Sequence, residues 1–471
     1  MQGNYIGQNG VLELNTFLGG DSSPSDQLVI DGGSASGNTS VLVHNTSAAS
    51  AITRGDGILV VSAVNGGTTA TDAFNLLGEV RRGALDYRLF RGSKDGTAPD
   101  SWYLRNEFTV PPPEPEPEPN PVDPDLPIDP PDDEILPPGD YPIIGPELAT
   151  YGAVQPLARD LGQRTLSTLH DRAGDGTATS AQANDHGPTA WGRVFGATID
   201  QSYQAFAAPS SKGNLSGVQA GVDMWQGQSD SFGGYLAYSR ANVDVRGLVT
   251  NDQATGYVRQ RTGTINLKAN SVGAYWTHRG PTGWYLDGVA QATTYRGTAS
   301  TPYAHLNLPG TGFIASLEFG YPIGLPMLGQ SFVLEPQLQA IYQYVNFSPR
   351  NDELGPVALG STHGNTERAG LRGTWQLTGH NGQLWTPYVG LDLRRDWGAR
   401  SKTVFGTSGG DYSAMPMVPQ ATRASLDGGL TAQLSPRLSL YGAAGYEHDL
   451  GHSDNARRRG FDAHLGLRYA W

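Results

Sequence analysis

The chain closes on residues 460–471, "GFDAHLGLRYAW". Phe461, Ala463, Leu465, Leu467, Tyr469 and Trp471 are apolar, while Asp462, His464, Gly466, Arg468 and Ala470 between them are polar or small. A period of two is the mark of a strand with one apolar face. Chain ends are ordinarily frayed and polar. A patterned strand that runs to a bare tryptophan therefore asks for a partner strand and for an apolar surrounding on one side.

The same alternation recurs upstream. In "SGVQAGVDM" (216–224), Val218, Ala220, Val222 and Met224 alternate with Gln219, Gly221 and Asp223. "TGFIASLEFGY" (311–321), "FVLEPQLQAIY" (332–342), "RAGLRGTWQL" (368–377) and "WTPYVGLDLRR" (385–395) behave alike. Twelve strands are expected, near 189–206, 213–226, 230–246, 263–279, 283–298, 310–324, 331–348, 364–378, 383–400, 417–435, 437–449 and 460–471. Connections alternate between short turns and longer loops such as 247–262 and 401–416, as in an outer-membrane barrel. These strands run to about 12–19 residues, against five or six in a soluble sandwich. Their polar faces carry both signs, with Asp223, Asp287, Glu318, Glu335 and Glu447 against Arg368, Arg372, Arg394 and Arg468. A lumen filled by a polar helix needs that mixture. Trp191, Trp276, Trp284, Trp385 and Trp397 are expected in interfacial girdles.

Composition narrows the class. There is no cysteine, hence no disulfide or thiolate site, and 63 glycines and 21 tyrosines stand in 471 residues. A net charge of −13 argues against a nucleic-acid partner. No run of about 18 apolar residues marks a membrane helix, but a barrel hides from hydropathy. The opening "MQGNYIGQNGVLEL" lacks a basic start and an apolar core, which leaves a cytoplasmic protein or a piece of a longer precursor.

Four segments precede or make up the barrel. Residues 1–70 hold "GVLELNTFLGGD", "DQLVIDGGSASGNTSVLVHNT" and "GDGILVVSAVNGG", the spacing of a parallel β-solenoid. Residues 71–108 read as hairpins that close its open edge. Residues 109–144, rich in Pro, Glu and Asp, read as an extended polyproline-like linker. Residues 145–172 are expected to form one helix, with Pro146 and Glu147 in its first turn and a kink at Pro156. At about 40 Å it would cross a bilayer, but Arg159, Asp160, Gln163, Arg164 and Asp171 forbid lipid contact. The chain is thus divided into 1–70, 71–108, 109–144, a helix with its lead-in at 145–186, and a barrel at 187–471. The expected fold class is all-β: a twelve-stranded antiparallel transmembrane β-barrel with an α-helix in the lumen, preceded by a short right-handed parallel β-helix.

Over nearly its whole length the chain resembles the C-terminal part of a classical (type Va) autotransporter. The ending matches the polar–x–Gly–x–x–apolar–x–apolar signal of outer-membrane barrels at His464, Gly466, Tyr469 and Trp471, with Trp where Phe is commoner. The resemblance implies a pertactin-like passenger end at 1–70, an autochaperone at 71–108, and a pore helix through Arg159, Asp160, Gln163 and Arg164. It implies a monomeric barrel that exports its passenger to the cell surface without enzymatic activity or cofactor. Its partners would be outer-membrane lipid and lipopolysaccharide, the barrel assembly machinery and periplasmic chaperones. The alternatives are a surface adhesin and a barrel-anchored hydrolase whose active site lies upstream. Some autotransporters cut their passenger at an Asn near strand 1. Asn184, followed by Asp185, is the candidate, though the Asn–Asn pair of the best-known group is missing.

Smaller motifs have two readings each. Arg54-Gly55-Asp56 is an adhesion tripeptide or a solenoid turn. Gly20-Asp21-Ser22 resembles an esterase nucleophile block, yet His44 is the only histidine before residue 108 and a Ser without a positioned base is no nucleophile. His448 and His452 have i,i+4 spacing but fall at a strand end. Arg457, Arg458 and Arg459 either touch lipopolysaccharide phosphates or keep the rim solvated.

Overall fold

The structure, a computed structural model, describes residues 3–48, 50–112, 136–166, 168–174, 188–379, 382–407, 410–451 and 455–471. Twelve strands form the barrel: β1 (Thr189–Tyr203), β2 (Ser210–Gln226), β3 (Asp230–Thr250), β4 (Tyr257–Arg279), β5 (Tyr285–Ser300), β6 (Gly310–Gly320), β7 (Phe332–Phe347), β8 (Ser361–Trp375), β9 (Leu384–Gly398), β10 (Thr422–Gln433), β11 (Leu438–Asp449) and β12 (Ala456–Ala470). Each pairs antiparallel with its chain neighbours. The seam joins β12 to β1, with Leu467 opposite Gly192 and Tyr469 opposite Ala190. The terminal strand is therefore paired on both sides, which is why it does not fray.

Side-chain parity sets the two surfaces. Outward positions stay exposed and apolar, among them Leu236, Val272, Leu338, Leu391, Leu426 and Leu465. In water so much exposed leucine would be an aggregation hazard; in a bilayer it is the solvated face. Inward positions are polar or aromatic over much of the wall, and aliphatic where Leu215, Val243, Ile265 and Leu267 pack with Val154, Leu157 and Leu161 of the helical stretch. Inward aromatic rings lie over glycines of the neighbouring strand: Tyr235 over Gly273, Tyr285 over Gly320, Phe195 over Gly217 and Tyr441 over Gly466. A methyl group on Gly273 would come within 2.1 Å of the Tyr235 ring. Close ring-to-backbone contact explains part of the high glycine content. One girdle assignment needs correction. Trp191 shares the odd, inward parity of β1, is buried, and donates its indole N–H to Tyr275 Oη at 3.0 Å.

Two expected loops are structured. β3 and β4 run past the membrane band as a ribbon, so the loop expected over 247–262 shrinks to 251–256. The 401–416 loop is a hairpin, Ser401–Thr407 with Gly410–Met417, in a sheet with Arg350–Asp352 and Gly355–Ala358. Each ribbon buries one apolar face, Tyr257 against Phe108 and Phe405 against Tyr151, and turns its other face to water, so neither shows the lipid-facing alternation of a membrane strand.

The helical stretch is in three pieces: α1 (Glu147–Gly152), α2 (Val154–Thr165) and α3 (Leu169–Ala173). Pro156 has no N–H for the Gly152 carbonyl, so the α1–α2 break falls at Ala153, one turn before the proline. α1 packs against β3 and β4, and α2 continues down the lumen to β6 and β7. α3 opens with a capping box, in which Thr168 and Asp171 satisfy each other's backbone N–H groups.

Outside the barrel, Tyr5–Thr16 pairs parallel with Ser34–Asn45, and Leu28–Asp31 with Ile58–Val64. These rungs enclose Leu14, Ile30, Val41, Val60 and Phe74. Antiparallel strands Val80–Arg82, Leu85–Arg91 and Trp102–Arg105 close the stack. The two described ends of the 109–144 stretch are paired with each other. Glu107–Val110 pairs with Gly139–Pro142, pinned by stacked Phe108 and Tyr141 with Tyr257 of β4 edge-on to both. Neither four-residue strand carries the proline alternation, except for the terminal Pro142.

Gly273→Ala should destabilise the barrel by about 1–3 kcal/mol through overpacking against Tyr235. Gly428→Ala, whose added methyl would sit 3.6 Å from its nearest neighbour, should change little. Urea titration of the heat-modifiable band on unboiled gels compares the two.

Candidate functional site

The polar lumen and the seat on its outer mouth make up the candidate site. From the outside inward, the chain leaves the passenger cap through Ile143 and Ile144 and turns into α1. Ile143 N–H donates to the Asn106 carbonyl, and Asp86 N–H to the Ile143 carbonyl. Ile144 N–H donates to Thr250 Oγ1 of β3. Gly83 of the cap hairpin donates to the Leu354 carbonyl on the barrel's outer sheet. Passenger cap, linker end and barrel rim thus share one hydrogen-bonded joint.

A buried ion cluster sits in that joint. Arg81 lies 3.4 Å from Asp86 and 3.6 Å from Glu147 of α1, and its guanidinium covers the Tyr303 ring. Arg88 pairs with Asp86 at 2.8 Å, and Thr301 Oγ1 donates to Glu147. Burial pushes the Asp86 carboxyl up to about 6, with Arg81 and Arg88 opposing the shift.

Down the lumen, α2 is held by matched charges. Gln155 donates to the carbonyls of Leu359 and Gly360, Arg159 to the Gln343 carbonyl, and Gln163 to Thr366. Arg164 reaches Asp160, Glu447 and Asp462. Arg423 of β10 donates to both Glu447 and Asp396, and Arg458 approaches Asp396 at 3.7 Å. Lower down, Arg193 pairs with Asp171, His170 with Glu335, Arg172 with Asp287, and Arg468 with Asp223. Arg368 bridges Glu318 and Asp392, Arg394 lies 3.6 Å from Glu447, and Arg372 stacks on Tyr388. Beside the end of α2 a polar cavity of about 220 Å³ remains, lined by Gln163, Arg164, Arg368 and His464 among others. These matched charges hold α2 and α3 against the barrel wall.

The sequence candidates fall as follows. Asp223, Glu318, Glu335, Arg368, Arg372, Arg394 and Arg468 all project into the lumen with the partners named. His464 and Gly466 also face inward, against Tyr441, while Tyr469 and Trp471 are exposed on the outer face. Asn184 and Asp185, the cleavage candidates, and His452 lie outside the described residues. The arginine triplet is split by parity. Arg458 turns into the lumen, Arg459 is bound to Asp200 at 3.0 Å, and Arg457 faces outward. The triplet therefore offers no continuous cationic patch.

The two passenger motifs turn out to be one knot. Asp21 Oδ2 accepts the N–H groups of Arg54 and Gly55, and Oδ1 accepts that of Gly57. Asp56 accepts the Lys94 N–H. Gly57 has a φ of +94°, and a side chain there would meet the Leu104 carbonyl. Ser22 N–H is bonded to the Gly57 carbonyl, and His44 pairs with Glu13. Arg193, Arg423, Asp396 and His170 are not among the sequence candidates, and Arg458 is among them only as part of the rim triplet; the inward parity of β1, β9, β10 and β12 is the available signal for all but His170.

A closed antiparallel barrel with an apolar outer belt and a polar, helix-filled lumen is an outer-membrane translocator architecture. The Autotransporter beta-domain model matches residues 190–460, more than half of the chain, and Autochaperone Domain Type 1 matches residues 1–89. The chain belongs to the autotransporter family. It is 24% identical over 492 residues to the autotransporter adhesin AIDA-I of Escherichia coli, covering 99% of this chain and 34% of that protein. It is 28% identical over 396 residues to the adhesin BmaC autotransporter of Brucella suis biovar 1 (strain 1330), covering 79% and 10%. The chain thus spans about a third of the length of AIDA-I and a tenth of that of BmaC. The solved transport unit of AIDA-I superposes with a TM-score of 0.53 at 17% identity, covering 69% of this chain and 99% of that one. The barrel lies in the outer membrane with the passenger at the cell surface.

Arg423→Ala should cost about 3–5 kcal/mol, because Glu447 and Asp396 lose their shared buried cation; urea unfolding in detergent measures it. The joint should respond to pH. The folded Asp86 carboxyl titrates at about 6, above its ordinary 3.8, so folding takes up a proton between those values. The joint then gains stability as pH falls from 7 towards 5. Protease resistance of the cap should rise over that range in the wild type and rise less in Asp86→Asn, where only the buried Glu147 carboxyl of the cluster remains to take up a proton.

Proposed function

We propose that this chain exports its N-terminal passenger across the outer membrane and then anchors it. The continuous course of the chain carries the reading. The passenger cap seats on the barrel mouth, and Ile143 and Ile144, bonded to the cap and to β3, lead into α1 and α2 in the lumen. A hairpin that enters the lumen and draws the passenger outward would leave the chain threaded in this way. Folding of the cap outside supplies the drive, since residues 71–108 emerge first when the C-terminal end of the passenger leads. The role is non-enzymatic, and the division into passenger rungs, cap, linker, plug and barrel follows the boundaries given above.

Residues His464, Gly466, Tyr469 and Trp471 act as the address read by the assembly machinery, with periplasmic chaperones guarding the unfolded barrel. The barrel works as a monomer. A second reading, in which the passenger also adheres to host surfaces, has support in the adhesin names of the two relatives. Its contact surface is sought on the solenoid rather than at Arg54-Gly55-Asp56, whose Asp56 carboxylate is already engaged.

Two measurements test the proposal. With the chain expressed behind a secretion signal, protease added to intact cells should remove residues 1–108 and spare the barrel. Protection of the passenger beside an inserted barrel defeats the export reading. Deleting Trp471 should lower barrel yield in the membrane at least about tenfold, far beyond the few kcal/mol one exposed side chain contributes to folding. Unchanged yield would remove the address from the C-terminus.

A further inference from the structure

Arg240, Lys268 and Arg296 lie side by side on the outer face of β3, β4 and β5. The register pairs Arg240 with Lys268 and Lys268 with Arg296, and all three side chains are exposed. Directly paired residues on adjacent strands stand about 5 Å apart. Three like charges at that spacing repel one another, and the arrangement is destabilising unless an anion lies among them.

The protein supplies no such anion. Arg240 donates to Ser216 Oγ, and none of the three has a carboxylate partner among the described residues. The nearest outward acid along β3, Asp244, is taken by Arg261 at 2.6 Å. Two other outward cations stand beside carboxylates: Arg459 is bound to Asp200 at 3.0 Å, and Arg395 is paired in register with Glu367.

Height on the barrel narrows the ligand. The periplasmic girdle on these strands is the pair Phe232 and Trp276. Arg240 is eight residues further along β3, about 27 Å of strand. At the usual barrel tilt that is roughly 20 Å of height, close to the outer edge of a belt about 25 Å tall. The rows on either side of the cations fit the same position. Below them are Tyr238, Asn270 and Thr294, and above them Asn242, Asn266 and Thr298. Below these again the surface is apolar and low, with Leu236, Val272 and Ala292 in one row. Cations framed by neutral hydrogen-bond donors and placed over an apolar floor match a phosphorylated sugar headgroup with acyl chains beneath it.

We infer that the Arg240–Lys268–Arg296 row is a binding site for the phosphorylated headgroup of an outer-leaflet glycolipid. The two guanidinium groups clasp phosphate oxygens in paired hydrogen bonds, and Lys268 adds a central point charge. The amide and hydroxyl groups of Asn266, Asn270 and Thr294 take the sugar, and the acyl chains run down over Leu236, Val272 and Ala292. The site rests on the outer-membrane placement of the barrel and on no feature of export.

The test uses the full chain, purified folded in detergent, with bisphosphorylated lipid A as probe. Dephosphorylated lipid A and inorganic phosphate are the comparison ligands. The triple variant Arg240→Gln/Lys268→Gln/Arg296→Gln should bind bisphosphorylated lipid A at least about tenfold more weakly than wild type, a difference of about 1.4 kcal/mol. Dephosphorylated lipid A should bind the wild type no better than bisphosphorylated lipid A binds the variant. The control Arg259→Gln/Arg261→Gln should bind as the wild type does. Heat-modifiability on gels reports separately that each barrel is folded, and Lys268→Gln alone serves if the triple variant does not fold. Binding by a folded variant within twofold of wild type overturns the site. So does an equal loss in the control, or displacement of the lipid by inorganic phosphate at matched concentration.

Discussion

The pairing of β12 with β1 is the constraint on which the rest of this molecule depends. Inside a bilayer no water is available for an open strand edge, so every backbone N–H and C=O of the belt must find a partner in the sheet. Closure supplies them, and the last residues of the chain are part of it: Tyr469 opposite Ala190, Ala470 opposite Thr189. Closure also fixes parity around the ring. Once β12 and β1 are in register, an inward residue on one strand stands beside an inward residue on the next. Tyr441 can then lie over Gly466, and Arg468 can reach Asp223.

Closure creates a second problem that the sequence answers with charge. A twelve-stranded ring is too wide for its own side chains to fill, and a lumen of unpaired polar groups would remain. α2 and α3 fill much of it, and their charges are placed against opposite charges on the wall: Arg164 by Glu447, Asp171 by Arg193, Arg172 by Asp287. The pairing is distributed over many strands. A plug held in this way is specific in position, because sliding α2 by one turn would set Arg164 away from Glu447 and Asp462 together. The mixed-sign wall is thus a register device as well as a filling.

The strand pattern was legible because lipid is a severe filter: outward residues must be apolar over the whole belt, and period two survives for ten residues or more. Parity also placed the charges that face the lumen. Legibility ended where lipid did. Residues 247–262 and 401–416 read as loops because their few buried residues, Tyr257 and Phe405 among them, pack on Phe108 and Tyr151 and not on lipid, which leaves no long apolar row in the sequence. Trp191 was assigned to a girdle from its place near a strand end, although its odd position in β1 already turned it inward. The break at Ala153 was sought at Pro156, whereas a proline disturbs the carbonyl one turn before it. The knot of Asp21 with Arg54, Gly55 and Gly57 could not be read, because solenoid rungs bring together residues some 33–36 positions apart.

The arginine triplet and the cationic row show why register matters more than proximity in the chain. Arg457, Arg458 and Arg459 are consecutive, yet parity sends the middle one to Asp396 in the lumen and Asp200 neutralises the third. Arg240, Lys268 and Arg296 are 28 residues apart in each step, and no window along the sequence would group them. Hydrogen-bond register across β3, β4 and β5 sets them in one line on one face. In a barrel the ligand-sized unit of surface is a row across strands. A cluster of charge along one strand is divided between two solvents, whereas a cluster across strands keeps all of its charge on the same side.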